Sequence, residues 1–396
     1  MTFGRFLGRD GVFVLAIVVL STILLLMPTG FESKFDPTVQ RPRGQVLEVD
    51  DSLVKQFGLV KTGSQVLKVR ILDGPYAGQE ISASNHLMGK MEMDKHFRPG
   101  DTALLVLNTD GQRATAATAF EQYRMDIQLV LFALFGLLLV GYAGWIGVKA
   151  LLSFVFVALI IWKALLPGIL NGWDPILLAL ALVTVLTAAI LFLVGGLTRK
   201  AAVAFAGSML GILLTCCLAL LFQPPMHIHG AVQPFSETLL YSGFPHLDLT
   251  RIFVAGIFIS ASGALMDLAM DISAAMNEVV KKKPDISLRE AIGSGLAVGR
   301  AVSGTMVTTL LLAYAGGYSA MLMLFMGQGI PPASILNINY VAAEMLKTMV
   351  GSLGLVTVAP FTAVVGGLVY VGWNRRNPAR EGSQLPRPDL EPAAAT

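Results

Sequence analysis

The sequence predicts a polytopic α-helical membrane protein with about eight transmembrane helices and a small extracytoplasmic β-barrel-like domain after the first helix. Composition is the first observation: 54% of the 396 residues are hydrophobic and 14% are charged, against about 25% charged in soluble proteins. Charge distribution is the second: residues 30–125 contain 24 charged side chains, whereas the longer stretch 126–275 contains 11. These observations exclude a soluble enzyme and a disordered chain, and the net charge of +3 does not suggest nucleic-acid binding.

The first apolar run covers residues 12–27 and follows two basic residues, Arg5 and Arg9. Its length approaches the roughly 17–25 residues that a transmembrane helix needs. A secretory signal peptide has a similar pattern, but no small-residue cleavage site follows the run. We therefore predict an uncleaved membrane anchor at residues 1–29.

Residues 30–125 predict a β-rich domain, because short apolar or alternating segments are separated by turn signals such as Asp73-Gly74-Pro75. Four or five short strands within about 65 residues are typical of a small barrel of the OB or SH3 type. Such barrels often bind nucleic acid through aromatic side chains, but this domain offers few. We therefore expect it to pack or to dock a partner. The predicted strands are residues 45–49, 65–71, 79–83 and 102–107.

The membrane domain is predicted at residues 126–373, where seven further apolar runs suit helices and are too long for barrel strands. Lys and Arg concentrate in alternate loops, which places both termini in the cytoplasm and the 30–125 domain outside. The Pro- and Ala-rich tail, residues 374–396, is predicted to be disordered and cytoplasmic. The seven runs are residues 127–145, 148–166, 176–197, 202–222, 251–275, 296–316 and 349–373.

Residues 317–348 do not fit a simple span, because an apolar start leads into Gly-Gln-Gly-Ile-Pro-Pro at 327–332. We predict a re-entrant or interfacial segment, since broken backbone at membrane depth must be covered by protein or line a cavity. A pair of extra spans is the alternative.

Asp267 and Asp271 are the main candidates for function in the membrane, since a spacing of four residues places both carboxylates on one helical face. A charged carboxylate at the bilayer centre costs about 2.5–3.5 kcal/mol on insertion scales, so such residues usually line a pathway or a proton relay. Asn277 and Glu278 follow in the same run and are further candidates. Alternatively, Asp271 and Glu278 lie beyond the lipid at the cytoplasmic end.

Arg300 and Thr305 are relay candidates in the next span. We expect Arg300 either to pair with a carboxylate of the preceding span or to extend to the cytoplasm. The threonines of this span are expected either to carry protons or to hydrogen-bond to their own backbone. Glu344 and Lys347, three residues apart, are either a self-neutralising pair or a gate.

A metal site is not predicted, and no cofactor is expected. The only weak candidates lie in the 223–250 loop, where three imidazoles and a carboxylate lack the tight spacing of a metal motif. A loop resting on the outer membrane surface is the preferred interpretation. These weak candidates are His227, His229, His246 and Asp248.

The segment from Gly263 to Glu278, which contains both aspartates, is similar to the signature of the YibE/F family of bacterial membrane proteins. Gly299-Arg300 with Gly304-Thr305-Met306, and the outer stretch 71–78, also resemble this family. The resemblance covers the outer domain through the last span and implies the bacterial cytoplasmic membrane. It implies no mechanism.

A fainter resemblance, over about 65 residues of the two spans around Asp267 and Arg300, is to the SecD/SecF proteins and the wider RND transporters. In those proteins, polar residues of the two helices relay protons. The resemblance implies the same role for Asp267, Asp271, Arg300 and Thr305.

Two classes of function remain. The first is a proton- or ion-coupled transporter or export accessory of unknown substrate, which the carboxylates favour. The second is a non-transporting scaffold or sensor whose outer domain binds a partner. An enzyme is not expected, because no Ser/His or zincin motif occurs in the spans. The expected partners are the lipid bilayer and an unknown solute or protein, without nucleic acid, and a homo-oligomer is compatible with the sequence.

Overall fold

The structure is a computed structural model that describes residues 9–32, 39–109 and 113–376. Arg5 and the tail beyond residue 376 lie outside these residues. The chain divides into two compact units. We call Pro28–Gly144 the β-unit, and Met1–Met27 together with Trp145–Thr396 the helical unit.

The β-unit contains a six-stranded sheet followed by a helix, α2 (Met125–Ala143). The sheet order is β1-β5-β6-β4-β3-β2, and β1 also pairs with β3. The β4–β6 pairing is parallel and covers two residue pairs, so the sheet is not a clear barrel. The strands are β1 (Arg43–Asp50), β2 (Val54–Phe57), β3 (Val60–Ile71), β4 (Glu80–Met88), β5 (Thr102–Thr109) and β6 (Ala114–Gln122).

The core of the β-unit follows the two-residue period of its strands. In β3, Leu67, Val69 and Ile71 are buried, whereas Lys68 and Arg70 between them are exposed. This alternation confirms that the segment predicted at 65–71 is a strand with one face on a core.

Two buried polar side chains of the sheet, Gln65 and Asn85, form hydrogen bonds with the segment after β4 that contains Lys95 and Phe97. Asn85 donates to Gln65 Oε1 (2.8 Å) and to the Lys95 carbonyl. The Phe97 amide also donates to Gln65 Oε1 (2.9 Å), and Gln65 Nε2 donates to Asp51 (2.7 Å). Because buried polar groups are costly when unpaired, this network fixes a single position for the segment.

The helical unit consists of long helices separated by short connections. α3 (Trp145–Ile160) continues through a π-helical turn (Ile161–Leu165) into α4 (Leu166–Leu170). The remaining helices are α1 (Arg9–Leu26), α5 (Pro175–Gly195), α6 (Arg199–Phe222), α7 (Ser236–Tyr241), α8 (Leu249–Lys282), α9 (Leu288–Gly317), α10 (Ser319–Gly327), α11 (Pro332–Asn337) and α12 (Asn339–Arg376).

The largest core of the helical unit lies where α5, α6, α8, α9 and α12 meet. α8 is central to it: Phe258, Leu265 and Ile272 are fully buried. A smaller core joins α1 to α3 and α5 through residues such as Ile17 and Phe156.

Seven helices of the described chain are long and apolar enough to cross a membrane, which is compatible with a multi-pass membrane protein. They coincide with the seven runs predicted after the first, so these helices are confirmed. The apolar stretch of α1, Gly11–Leu26, is shorter. The predicted total of eight spans therefore stays a prediction. The seven are Met125–Ala143, Trp145–Leu170, Pro175–Gly195, Arg199–Phe222, Leu249–Lys282, Leu288–Gly317 and Asn339–Gly372.

The stretch 317–348 contains the short helices α10 and α11, of nine and six residues. At 1.5 Å per residue they are about 14 and 9 Å long, too short to cross a hydrocarbon layer of about 30 Å. Neither helix is therefore long enough to be an extra span, and the re-entrant or interfacial segment stays a prediction. The last helix starts at Asn339, ten residues before the predicted run, so it includes Glu344 and Lys347.

Candidate functional site

The candidate site is built on α8, a continuous helix of 34 residues. Asp248 caps its N-terminus by accepting a hydrogen bond from the Arg251 amide (3.0 Å). Lys281 and Lys282 in the last turn interact favourably with the negative, C-terminal end of the helix dipole. At 1.5 Å per residue α8 is about 51 Å long, so it continues well beyond a hydrocarbon layer of about 30 Å.

Asp267 and Asp271 both lie on the exposed face of α8, together with Gly263 and Ser260. Leu265 and Ile272 on the opposite face are fully buried. Neither aspartate makes a hydrogen bond or an ion pair with any residue that the structure describes. The spacing therefore predicted a shared face, and that face is turned away from the core of the helical unit.

Arg300 lies at the level of Asp271 but is not paired with it. Gly299 packs against Ile272 and Ala359: a Cβ atom added at Gly299 would lie 3.3 Å from Ile272 Cδ1 and 2.7 Å from Ala359 Cβ. Arg300 and Asp271 are the immediate neighbours of Gly299 and Ile272, and both are exposed. Within the described chain Arg300 has no ion pair, so the predicted pairing with an aspartate is not formed.

Thr305 bonds its own backbone, because its hydroxyl donates to the Val302 carbonyl (2.9 Å). Asn277 and Glu278 lie in the last turns of α8, where Glu278 is exposed and accepts from Lys281 (3.0 Å). The structure therefore does not join these three residues to the two aspartates by hydrogen bonds.

Glu344 and Lys347 form an ion pair of 3.6 Å on α12, with side chains only 17% and 23% exposed. Lys347 Nζ also lies 4.7 Å from the centre of the Tyr314 ring. The Tyr314 hydroxyl donates to Ser260 Oγ (3.0 Å). These contacts connect α12, α9 and α8 through polar groups.

Sequence reasoning did not identify the link through Tyr314 and Ser260. The two residues are 54 positions apart, and no local pattern predicts such a contact. We call the following residues the polar row: Glu344, Lys347, Tyr314, Ser260, Asp267 and Asp271.

The four weak metal candidates, all within the described residues, do not form a metal site, and His246 and Asp248 make other contacts. His246 Nε2 lies 3.1 Å from the Leu170 carbonyl, and Asp248 caps α8. Among the described residues, no group of three or more His, Cys, Asp or Glu side chains is arranged to hold a metal ion. His227 and His229 are exposed in the loop after α6.

Comparison with protein families gives two matches. The model of YibE/F-like proteins matches residues 131–372, which is more than half of the chain. The chain belongs to the YibE/F family. The model of the YibE/F family N-terminal domain matches residues 37–121, which contain the sheet of the β-unit up to the penultimate residue of β6.

The YibE/F membership confirms the resemblance that the sequence carried around Asp267, Asp271 and Arg300. No curated protein and no solved structure matches the chain. The matches do not extend to SecD/SecF or RND transporters, so the relay that this second resemblance implied stays a prediction.

Proposed function

We propose that this YibE/F protein is a proton- or ion-coupled transporter or export accessory of the bacterial cytoplasmic membrane. In this proposal both termini are cytoplasmic and the β-unit lies outside. No enzymatic activity is proposed. The observation that carries the proposal is the polar row, which contains ionisable groups on three helices long enough to span a membrane, α8, α9 and α12.

The first half of the row is a chain of direct contacts. Glu344 pairs with Lys347, Lys347 lies over the Tyr314 ring, and the Tyr314 hydroxyl donates to Ser260. Three helices thus contribute groups that can hold a cation or exchange a proton.

The second half of the row follows the exposed face of α8. Asp267 is seven residues after Ser260 and Asp271 four residues later, which corresponds to steps of about 10 and 6 Å along the helix. Spacings of seven and four keep all three side chains on one face. The row therefore extends from Glu344 near the start of α12 towards the C-terminal half of α8.

The exposure of the two aspartates supports a pathway over a structural role. A carboxylate facing lipid costs several kcal/mol, and neither Asp267 nor Asp271 recovers this cost through a described hydrogen bond. A water-filled pathway removes the cost, because it hydrates the carboxylates and lets them bind and release protons.

The experiment measures proton flux into proteoliposomes with an internal pH dye and a potassium potential set by valinomycin. We expect the wild-type protein to conduct protons and Asp267→Asn to reduce the flux at least tenfold, because an amide cannot carry a proton equivalently. Glu278→Gln is the matched control: it removes an exposed carboxylate further along the same helix and should leave the flux unchanged.

Labelling with dicyclohexylcarbodiimide, which attacks protonated carboxyl groups in apolar surroundings, provides a second measurement. We expect labelling at Asp267 or Asp271 that decreases as pH rises. Equal flux in wild type and Asp267→Asn, together with labelling no greater than at Glu278, would show that the aspartates do not exchange protons in the membrane.

A scaffold or sensor is the second candidate, and the β-unit supplies the observation that favours it. Leu53, Phe57 and Leu59 around the β2–β3 turn are 61%, 67% and 82% exposed. Large apolar side chains exposed together often mark a protein-binding surface. We propose that this surface docks a partner, whether or not the helical unit transports.

We also propose that the sheet is a partly open barrel of the OB type. Its pairings run from β1 through β3, β4, β6 and β5 and return to β1, with one parallel pair between β4 and β6. A five-stranded, partly open barrel of this kind is typical of OB folds.

A further inference from the structure

A cavity of about 390 Å³ lies in the helical unit, away from Asp267 and Asp271. It is lined by residues 231–235, 237 and 238, by the end of α9 and the start of α10 (residues 317, 318 and 321), and by the start of α12. Its volume falls within the roughly 300–1,000 Å³ that small-molecule sites occupy. Glu344 lines it, so the cavity lies at one end of the polar row.

The charged groups around the cavity are acidic. Glu237 and Glu344 are the charged side chains among the described lining residues, which include no Lys, Arg or His. The Tyr241 hydroxyl donates to one oxygen of Glu237 (3.1 Å), and Lys347 lies 3.6 Å from one oxygen of Glu344. Lys347 therefore balances the charge of Glu344, whereas Glu237 has no cationic partner among the described residues, so the net charge of this site is negative and favours a positively charged ligand.

Aromatic side chains complete the lining: Phe235, Tyr318 and Tyr340. Aromatic faces attract cations, and aromatic groups combined with carboxylates are the usual recognition elements for alkylated ammonium groups. A metal ion is a poorer fit, because metal ions need several oxygen or nitrogen ligands at short distance. No such group occurs among the described residues.

The backbone at Phe235 has an uncommon conformation. Phe235 has φ of 60°, a left-handed conformation that is uncommon for residues other than glycine. The next residue, Ser236, donates to the Gly230 and Gln233 carbonyls (3.1 and 2.6 Å) and thereby fixes the turn. The Phe235 side chain is 72% exposed although it is aromatic. Strained conformations of this kind cluster at ligand-binding sites.

We propose that this cavity binds a small organic cation bearing an alkylated ammonium group. Tyr318, Tyr340 and Phe235 offer aromatic surface to the ammonium group, Glu237 supplies the opposite charge, and the second oxygen of Glu344 accepts a further contact. Binding does not depend on the proposed transport function. Only the further step, in which the cation is the transported solute that enters the polar row at Glu344, rests on that function.

The experiment titrates choline against the full chain in lipid nanodiscs and follows binding by saturation-transfer NMR of the choline methyl protons. 3,3-Dimethyl-1-butanol, a neutral molecule of the same shape, tests the need for charge. We expect saturable binding of choline and at least tenfold weaker binding of the alcohol. Glu344→Gln and Tyr340→Leu should each weaken choline binding at least tenfold.

Matched controls are Glu278→Gln and Tyr142→Leu, which change an exposed carboxylate and an exposed tyrosine outside the cavity lining. Both should bind choline like the wild type. Thermal unfolding verifies that each variant folds, and Glu237→Gln replaces any variant that does not. Equal binding of choline and the alcohol, or equal binding by wild type and the cavity variants, would overturn the proposal.

Asp267→Asn separates this inference from the proposed function. We expect this variant to bind choline like the wild type while its proton flux is lost. Choline binding in a wild-type protein that conducts no protons would reject the transport function alone. Proton flux without choline binding would reject the cation site alone.

Discussion

Asp267 and Ser273 lie six residues apart on α8 and have opposite surroundings. Asp267 is exposed and makes no hydrogen bond with a described residue. Ser273 is fully buried, its hydroxyl donates to the Lys200 carbonyl (2.7 Å), and it lies 2.7 Å from the Tyr370 hydroxyl. The serine therefore contributes hydrogen bonds to the packing of α8, whereas the carboxylate contributes none to a described residue.

This contrast gives a stability prediction. Asp267→Asn should change the free energy of unfolding by no more than about 0.5 kcal/mol, as is usual for exposed positions. Ser273→Ala should cost about 1–3 kcal/mol, because it leaves buried partners unsatisfied. Thermal unfolding in detergent, followed by tryptophan fluorescence, measures both. A loss of stability in Asp267→Asn comparable to that in Ser273→Ala would mean that the carboxylate is structural.

A second residue-scale prediction concerns pH. In the β-unit, Arg43 donates to Asp73 from Nε and from its backbone amide, at 2.7 Å in each case. These hydrogen bonds hold the pKa of Asp73 below its usual value of 3.8. A lowered pKa stabilises the folded state at pH values above the unfolded pKa, and this stabilisation is lost as pH falls through the folded pKa.

Asp73→Asn should therefore lower the unfolding temperature at pH 7, and the difference from wild type should shrink as the pH falls below 3.8. Thermal unfolding across this range measures the effect. Glu92→Gln, an exposed carboxylate of the same unit without a described partner, should show no difference at either pH. If the difference in unfolding temperature between Asp73→Asn and wild type stayed constant across this pH range, the stabilisation by Asp73 would not depend on its charge.

At the scale of elements, α9 packs closely against α8 and α12 at Gly299. Gly299 has no room for a methyl group, because Ala359 Cβ would be 2.7 Å away, whereas Gly304 on the same helix faces open space. Gly299→Ala should destabilise the protein by about 1–3 kcal/mol, as overpacking does. Gly304→Ala should be neutral or slightly stabilising, because alanine favours helix.

The measurement is again thermal unfolding in detergent. Because α9 carries Tyr314 of the polar row, displacement of α9 should also reduce proton flux in Gly299→Ala and not in Gly304→Ala. Equal stability of the two variants would mean that α9 does not pack as closely as the contact with Ala359 requires.

The elements differ in how far the sequence predicted them, and the differences have physical reasons. Long apolar runs predicted the helices, because a helix that crosses the hydrocarbon layer of a membrane needs a continuous apolar stretch. β6 was missed, since Ala-Thr-Ala-Ala-Thr-Ala is neither strongly apolar nor alternating, and it is held as a strand by its neighbours β5 and β4. α12 starts earlier than predicted because Glu344 and Lys347 interrupt the apolar run but neutralise each other within the helix.

The site was predictable only where it depends on local spacing. The shared face of Asp267 and Asp271 and the pairing of Glu344 with Lys347 follow from helical periodicity. The contact between Tyr314 and Ser260 and the cavity around Phe235 depend on packing between distant segments. The sequence carried no signal for either.

At the scale of the whole molecule, the proposed orientation can be tested by cysteine accessibility. Cys216 and Cys217 are first replaced, because Cys217 is exposed. A single cysteine at Glu92 in the β-unit should react with an impermeant maleimide in intact spheroplasts. A cysteine at Lys282, after the last span residues of α8, should react only after the membrane is opened. Labelling of both positions in intact spheroplasts would contradict the topology.

α8 also has a mechanical consequence. It is a continuous helix of about 51 Å without an internal proline, so it has no proline kink at which to bend. One end is held, because Arg251 pairs with Asp174 at the start of α5 and Asp248 caps the first turn. A tilt of about 5° around this fixed end would displace the opposite end by about 4 Å. Such a tilt would turn a small displacement near Asp267 into a larger one at Lys282, where the short linker to α9 begins.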